Sequence, residues 1–337
     1  MDLMRPPRLR RGDVVGIVSP SWYGPGVGHR VERGMAHLRS LGFAPRLGAH
    51  ALNSRGWVSD TAEHRVEDIH TMLRDPAVRA IVATIGGDHA CQLLPLLDWQ
   101  LFRADPKILI GFSDITVLNV AVWAMTGLVT FNGPTLMTEW AEYPRMPEYS
   151  ERAVLKALCD PSSIGELHPA DWWTGEFLDW RDQKDLERPR ERRPSAGWVW
   201  LREGRAAGRL VGGCLESLQH LRGTPYWPNL DGAILFVETS DEAPSVATVD
   251  ALLMDFENMG VFAQVTGLLV ARPYGYSEEA RLHLHEVVRE RTERFGFPVV
   301  ADMEFGHTSP MLTLPIGCRA EIDAETRTIR IAEAAVR

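Results

Sequence analysis

Short apolar runs of strand length alternate with helix-length segments through the first half of the chain. Asp13 to Ser19 is such a run and ends in the turn-rich stretch 20–26. A helix-like segment follows from about His29 to Ser40, then a second strand from Phe43 to Leu47 and a second helix from Ala62 to Leu73. Ala80 to Ile85 reads as a buried strand broken by Gly86-Gly87, which leads into a helix-like run from His89 to Leu97. Lys107 to Phe112 is the next strand, Asp114 to Met125 the next helix, and Leu128 to Phe131 another strand. Strands alternating with helices imply a parallel sheet covered by helices on both faces. In such sheets ligands bind outside the carboxyl ends of the strands. Gly86-Gly87 and Ser113 both fall at those ends.

The alternation stops at about Pro161. Residues 161–204 hold Trp172, Trp173, Trp180, Trp198 and Trp200 among charges and prolines and read as a long ordered loop or bridge. Beyond it, Gly208 to Gly212, Ala233 to Glu238, Val265 to Ala271 and Pro298 to Met303 read as strands. Cys214 to Arg222, Val246 to Met259 and Ser277 to Phe295 read as helices, and Arg319 to Asp323 with Thr328 to Ile331 as a closing hairpin. The expected organisation is an α/β domain over residues 1–160, the tryptophan-rich bridge over 161–204, and a smaller mixed α/β domain over 205–337. A chain of 337 residues is about the right length for two domains.

The formal net charge of -9 argues against a general nucleic-acid or anionic-membrane binder. The basic stretch Arg5 to Arg11 is short and is followed by no apolar signal region, since Val14 to Val18 is only strand length. These features lead us to expect a cytoplasmic protein with no nucleic-acid polymer and no membrane among its partners. Cys91, Cys159, Cys214 and Cys318 are scattered without CxxC spacing, which gives no disulfide framework and no zinc knuckle. His283 and His285 stand two apart in a helical stretch and face different ways. Neither a metal nor a cofactor is expected.

Ser113 stands where a strand stops and a helix begins. A serine on such a turn directs its hydroxyl to a helix N-terminus, where unpaired amides favour developing negative charge. That suits a nucleophile with its own oxyanion site. Ser113 or Asp114 could equally cap the helix. Two further residues bear on the choice. Glu238 follows the strand-like run Ala233 to Val237, and His307 follows Phe305-Gly306. A serine hydroxyl is a weak nucleophile until an imidazole takes its proton, and the imidazole needs a carboxylate to fix its tautomer. Alone, Glu238 reads as a strand-end acid and His307 as a turn histidine. Gly86-Gly87 supplies backbone that can approach a ligand closely. Neither GxGxxG nor GxSxG occurs around these residues. The amides of Gly87 and Asp114 fit an oxyanion hole.

The string Gly111-Phe112-Ser113-Asp114 resembles the nucleophile motif of the LD-carboxypeptidase family of serine peptidases. Ile85-Gly86-Gly87, Gly212-Gly213-Cys214-Leu215 through Gly223-Thr224-Pro225-Tyr226, Phe236-Val237-Glu238-Thr239, Gly306-His307 and the opening Gly12 to Ser21 resemble it too. The match follows the same order across nearly the whole chain. The resemblance implies a flavodoxin-like N-terminal domain, a swivelling C-terminal domain and a homodimer. It also implies a triad of Ser113 as nucleophile, His307 as base and acid, and Glu238 as its orienter, with oxyanion amides from Gly87 and Asp114. Cys214 departs from the family's pattern, in which asparagine is more usual.

The family has two branches. One removes the terminal D-alanine from muropeptide tetrapeptides. The other comprises microcin C immunity peptidases, an antibiotic-resistance activity that cleaves an aminoacyl group from a modified adenylate. The tryptophan-rich stretch resembles the second branch, which makes Trp172, Trp173 and Trp180 candidate substrate contacts beside the close backbone of Gly86. An indole can stack on a base, or it can pack a loop or an interface. The expected substrate is an aminoacyl- or peptidyl-nucleotide, with a muropeptide as the alternative. A silent binder of either ligand is the alternative of another class.

Overall fold

A computed structural model describes residues 3–22 and 24–337. Tyr23, within the turn read at 20–26, lies outside the described residues. The first half forms five parallel strands: β1 (Val14–Val18), β2 (Ala44–Leu47), β3 (Val78–Ala83), β4 (Ile108–Gly111) and β5 (Thr130–Asn132). They lie in the order β2-β1-β3-β4-β5, which is the flavodoxin-like arrangement. Helices α1 (Gly28–Ser40), α2 (Ala62–Arg74), α3 (Trp99–Ala104), α4 (Thr116–Thr126) and α5 (Glu148–Cys159) accompany them. The central strands β3 and β4 are buried on both faces, which is why they read as continuous apolar runs.

Helix α4 is apolar almost all the way round, and every residue from Thr116 to Trp123 is buried. A helix of that kind must be covered on all sides. Here it lies between the first sheet and the second half of the chain. The run read as helical over His89 to Leu97 is a 3₁₀ helix, Ala90–Leu96, with Pro95 inside it. Proline lacks the amide that an α-helix would need there.

The stretch 161–204 carries more regular structure than its composition suggested. It contributes β6 (Gly165–Leu167), the short pair β7 (Trp172–Trp173) and β8 (Arg193–Pro194), and β9 (Val199–Arg202). Strands β6 and β9 form the two edges of a second sheet. Its middle is built from β10 (Arg205–Cys214), β11 (Ile234–Glu238), β12 (Gly267–Ala271) and β13 (Val299–Met303), all parallel. Strand β14 (Leu314–Ile316) leaves this sheet and pairs antiparallel with β5 as the sixth strand of the first. Strands β15 (Arg319–Asp323) and β16 (Thr328–Ile331) return as the hairpin expected, placed between β10 and β6. The helices of this half are α6 (Leu215–Gln219), α7 (Val246–Asn258), α8 (Val261–Gln264) and α9 (Glu278–Thr292). Ser245 caps α7 and Ser277 caps α9 through their hydroxyls.

The two sheets meet beside Ser113. The Cys214 amide at the end of β10 donates to Thr116 Oγ1 in the first turn of α4, at 2.9 Å. Gly213 permits this approach, since a Cβ there would sit 2.4 Å from the Thr116 side chain. Among the described residues no helix is long and apolar enough to cross a membrane.

Candidate active site

Strand β4 ends at Gly111, and Ser113 takes a left-handed φ of 60° before a three-residue 3₁₀ turn leads into α4. A non-glycine residue rarely adopts that backbone, and it costs energy of order 1–2 kcal/mol. The turn aims the side chain away from the sheet, and Ser113 lines a cavity of about 590 Å³. Neither Ser113 nor Asp114 caps α4 through its side chain. The Asp114 carboxylate instead accepts from the Ala90 amide at 2.8 Å, tying the Ser113 turn to the segment after Gly86-Gly87. Burial pushes the Asp114 carboxyl above its ordinary range.

Gly86 lies directly against this turn. A Cβ at Gly86 would fall 2.8 Å from Ser113 Cβ, 2.9 Å from Ser113 Oγ and 3.3 Å from the Asp114 nitrogen. The Trp22 amide donates to the Gly86 carbonyl at 3.1 Å, and the His89 amide donates to Ser21 Oγ at 3.0 Å. The loop is therefore held from the β1 side, at the point where the strand order reverses. Gly86 and Gly87 border the same cavity as the serine, and Asp114 follows Ser113 in the turn.

Glu238 is the last residue of β11, and His307 lies in the loop between β13 and β14. The His307 Nδ1 and Glu238 Oε2 atoms are 2.7 Å apart. Glu238 is 1% exposed, and its Oε1 has no protein partner among the described residues. The Phe112 ring packs against His307 with centroids 4.9 Å apart at 62°. His307 Nε2 lies 3.6 Å from Asp241 Oδ1. Among the described residues Ser113 Oγ makes no hydrogen bond, so serine and imidazole share the cavity without being joined.

Burial works against charging His307. The Glu238 carboxylate outweighs it, with help from Asp241 and Glu216, and the imidazole is pushed up to about 9. Burial also raises Glu238. For this coupled pair the direction that follows from the contact is the raised basicity of His307, because an ionised Glu238 holds the proton on the ring. An imidazole held this way can take a proton at Nε2 while Glu238 fixes the tautomer.

Of the three tryptophans expected to contact substrate, only Trp180 lines this cavity. The Arg30 guanidinium covers its ring at 4.2 Å from the centroid, and Phe177 packs at 5.6 Å. Trp172 borders a separate cavity of about 430 Å³ and stacks with Arg192 at 3.9 Å. Trp173 pairs with Arg193 in the short β7–β8 ribbon and lies 5.2 Å from Arg272. Trp22 and Trp57, which the sequence does not single out, line the same cavity as Ser113 and His307. Trp57 is 65% exposed, and a lone indole in the polar stretch 52–60 was the available signal. Away from the cavity, His50, His64 and Glu67 bring one potential ligand atom each to within 4.8 Å of one another. The two imidazoles stack in parallel, 10° apart, and each Nδ1 faces a carboxylate, Asp68 or Asp60. Parallel rings hold their lone pairs side by side, a poor geometry for a shared ion.

Comparison with known proteins gives a consistent result. Residues 15–133 match the LD-carboxypeptidase N-terminal domain, and residues 207–322 match the LD-carboxypeptidase C-terminal domain. The putative carboxypeptidase YocD of Bacillus subtilis is 33% identical, covering 96% of this chain and 97% of that one. The microcin C7 self-immunity protein MccF of Escherichia coli is 31% identical over 96% of this chain and 94% of its own. A solved structure of MccF in complex with aspartyl sulfamoyl adenosine superposes with a TM-score of 0.90 at 30% identity, covering 99% of this chain and 100% of that one.

Proposed function

Because the chain belongs to the LD-carboxypeptidase family, a family of serine-type hydrolases, we propose that it cleaves the acyl bond of an aminoacyl- or peptidyl-nucleotide through an acyl-enzyme. Ser113 Oγ attacks the acyl carbonyl carbon while His307 Nε2 takes the hydroxyl proton. The carbonyl oxygen becomes an oxyanion and accepts from the amides of Gly87 and Asp114. Collapse breaks the bond to the leaving group, which departs with the proton from His307. Water then attacks the acyl-serine, His307 takes its proton, and the second collapse frees the acid and returns the proton to Ser113. Glu238 keeps Nδ1 protonated and stabilises the transient imidazolium.

The observation that carries the nucleotide reading is the cavity itself. Ser113 and His307 share it with Trp180, whose indole is backed by Arg30. A base stacked on an indole contributes about 1–3 kcal/mol. The relative solved with an aminoacyl sulfamoyl adenosine supports the same substrate class. Trp180→Ala should raise KM for an aminoacyl sulfamoyl adenosine by roughly 5- to 150-fold and alter hydrolysis of a substrate without a base far less. Equal losses on both would make Trp180 a structural residue. A side-by-side assay with an aminoacyl sulfamoyl adenosine and a muropeptide tetrapeptide tests the reading as a whole. Turnover of the tetrapeptide alone would move the protein to the muropeptide branch.

The raised basicity of His307 sets the pH dependence. A protonated imidazole cannot accept the serine proton, so kcat/KM should climb with pH and level off only near the His307 value of about 9. Asp241→Asn removes one of the charges that raise it and should shift the rising limb to lower pH. A limb at ordinary histidine values, unmoved by that substitution, would contradict the assigned base.

A further inference from the structure

Apart from Asp88, which stands beside Gly87 without a lysine or arginine partner among the described residues, the carboxylates lining the cavity fall into two groups. Toward Trp180, each has an arginine. Glu139 and Glu142 lie 3.5 and 2.7 Å from Arg190, Asp185 lies 2.8 Å from Arg30, and Glu176 accepts from Arg188 at 2.9 Å. Toward His307, the carboxylates of Glu216, Asp241 and Glu242 line the cavity, and among the described residues none is paired with a lysine or arginine. His220 also lines this wall and bonds to none of the three.

The wall is built rather than accidental. Glu216 is half-buried, and its Oε1 accepts from the Ser240 amide at 3.0 Å and the Ser240 hydroxyl at 2.8 Å. Its Oε2 has only the Cys214 thiol at 3.6 Å, a weak donor. Asp241 Oδ1 stands 3.6 Å from His307 Nε2, which fixes the wall beside the reacting centre. A second observation points to a ligand here. Thr308 lines the same cavity, is 2% exposed, and its hydroxyl has no partner among the described residues. A buried hydroxyl without a partner is uncommon in a finished site.

We propose that this wall receives a cation carried by the substrate, so that the protein acts on acyl groups whose side chain ends in an ammonium group. The inference rests on the hydrolytic reading above and names the acyl half of its substrate. Glu216 and Glu242 are the specificity-determining groups, and Thr308 Oγ1 supplies a neutral contact. An acidic acyl side chain meets three like charges and is the poorest substrate. The bound cation also offsets the negative field at His307, which favours the neutral imidazole when substrate is present.

The test uses p-nitrophenyl esters of N-acetylated lysine, norleucine and glutamate, with the uncatalysed rate subtracted. Acetylation removes the α-ammonium, so the three differ only in the side chain. For the unmodified protein kcat/KM should fall in the order lysine, norleucine, glutamate, with lysine ahead of norleucine by roughly 10- to 100-fold, the range of a charge-assisted hydrogen bond. In the Glu216→Gln, Glu242→Gln double variant the lysine-to-norleucine ratio should fall toward one. A ratio near one in the unmodified protein overturns the proposal, and that measurement needs no variant. A preference for glutamate over norleucine also overturns it, and its loss in EDTA would show that the wall holds a metal ion. The leaving group is p-nitrophenolate throughout. A protein that prefers the lysine ester yet leaves every aminoacyl sulfamoyl adenosine intact keeps this inference and loses the nucleotide reading.

Discussion

Ser113→Ala protein should turn over its substrate on the order of 10⁴-fold more slowly than the unmodified protein, with its fold intact. His307→Ala should match it, because nucleophile and base act as one unit and losing either removes the same step. Glu238→Ala should cost less, since the imidazole would still stand beside the serine. The left-handed backbone at Ser113 adds a second readout. Ser113→Gly also removes the hydroxyl but relieves the unfavourable φ, and should raise stability by roughly 1 kcal/mol while abolishing turnover. Thermal melting and single-turnover hydrolysis of the two variants separate the effects. Near-normal hydrolysis by folded Ser113→Ala protein would remove the serine from the mechanism.

Gly86→Ala should produce the next largest loss, about 100-fold in kcat, with a lower melting temperature but a folded protein. The added methyl carbon would stand 2.8 Å from Ser113 Cβ and 2.9 Å from Ser113 Oγ, closer than real contacts allow, so the turn that carries Ser113 must shift. Gly86 itself does not have a positive φ, so alanine is tolerated by the backbone there. Displacing a reacting atom by about 1 Å commonly costs about 100-fold. The check is a parallel measurement of kcat, melting temperature and labelling by an active-site serine reagent. An unchanged kcat would mean that Ser113 has a second productive position away from the 86–87 loop.

The parallel sheet was legible because buried parallel strands are apolar throughout and end in turn residues, as β3 and β4 do. Strand β14 was not, because Leu314-Pro315-Ile316 is only three residues long and contains a proline. Strands β6 and β9 were hidden for a different reason. They pair with β16 and β13, about a hundred or more residues away in the chain, and nothing local marks an edge strand whose partner is so distant. At the site, Ser113, Glu238 and His307 could be singled out because each follows a strand. Asp241 and Glu216 could not, since a carboxylate near a strand end normally reads as solvated surface. Trp180 could not be separated from Trp172 and Trp173, because what distinguishes it is Arg30, supplied by α1.

The division of the site between two sheets has a consequence for synthesis. In the proposed triad the nucleophile is encoded at residue 113, the carboxylate at 238 and the base at 307, and the strand that completes the sheet of Ser113 is Leu314–Ile316. A nascent chain therefore carries an unactivated serine through most of translation. The same holds for a chain cut by a protease anywhere between the first sheet and His307 if the fragments separate. If the proposed triad is the working one, hydrolysis should appear only in chains that reach beyond His307, which a series of C-terminally truncated chains would show.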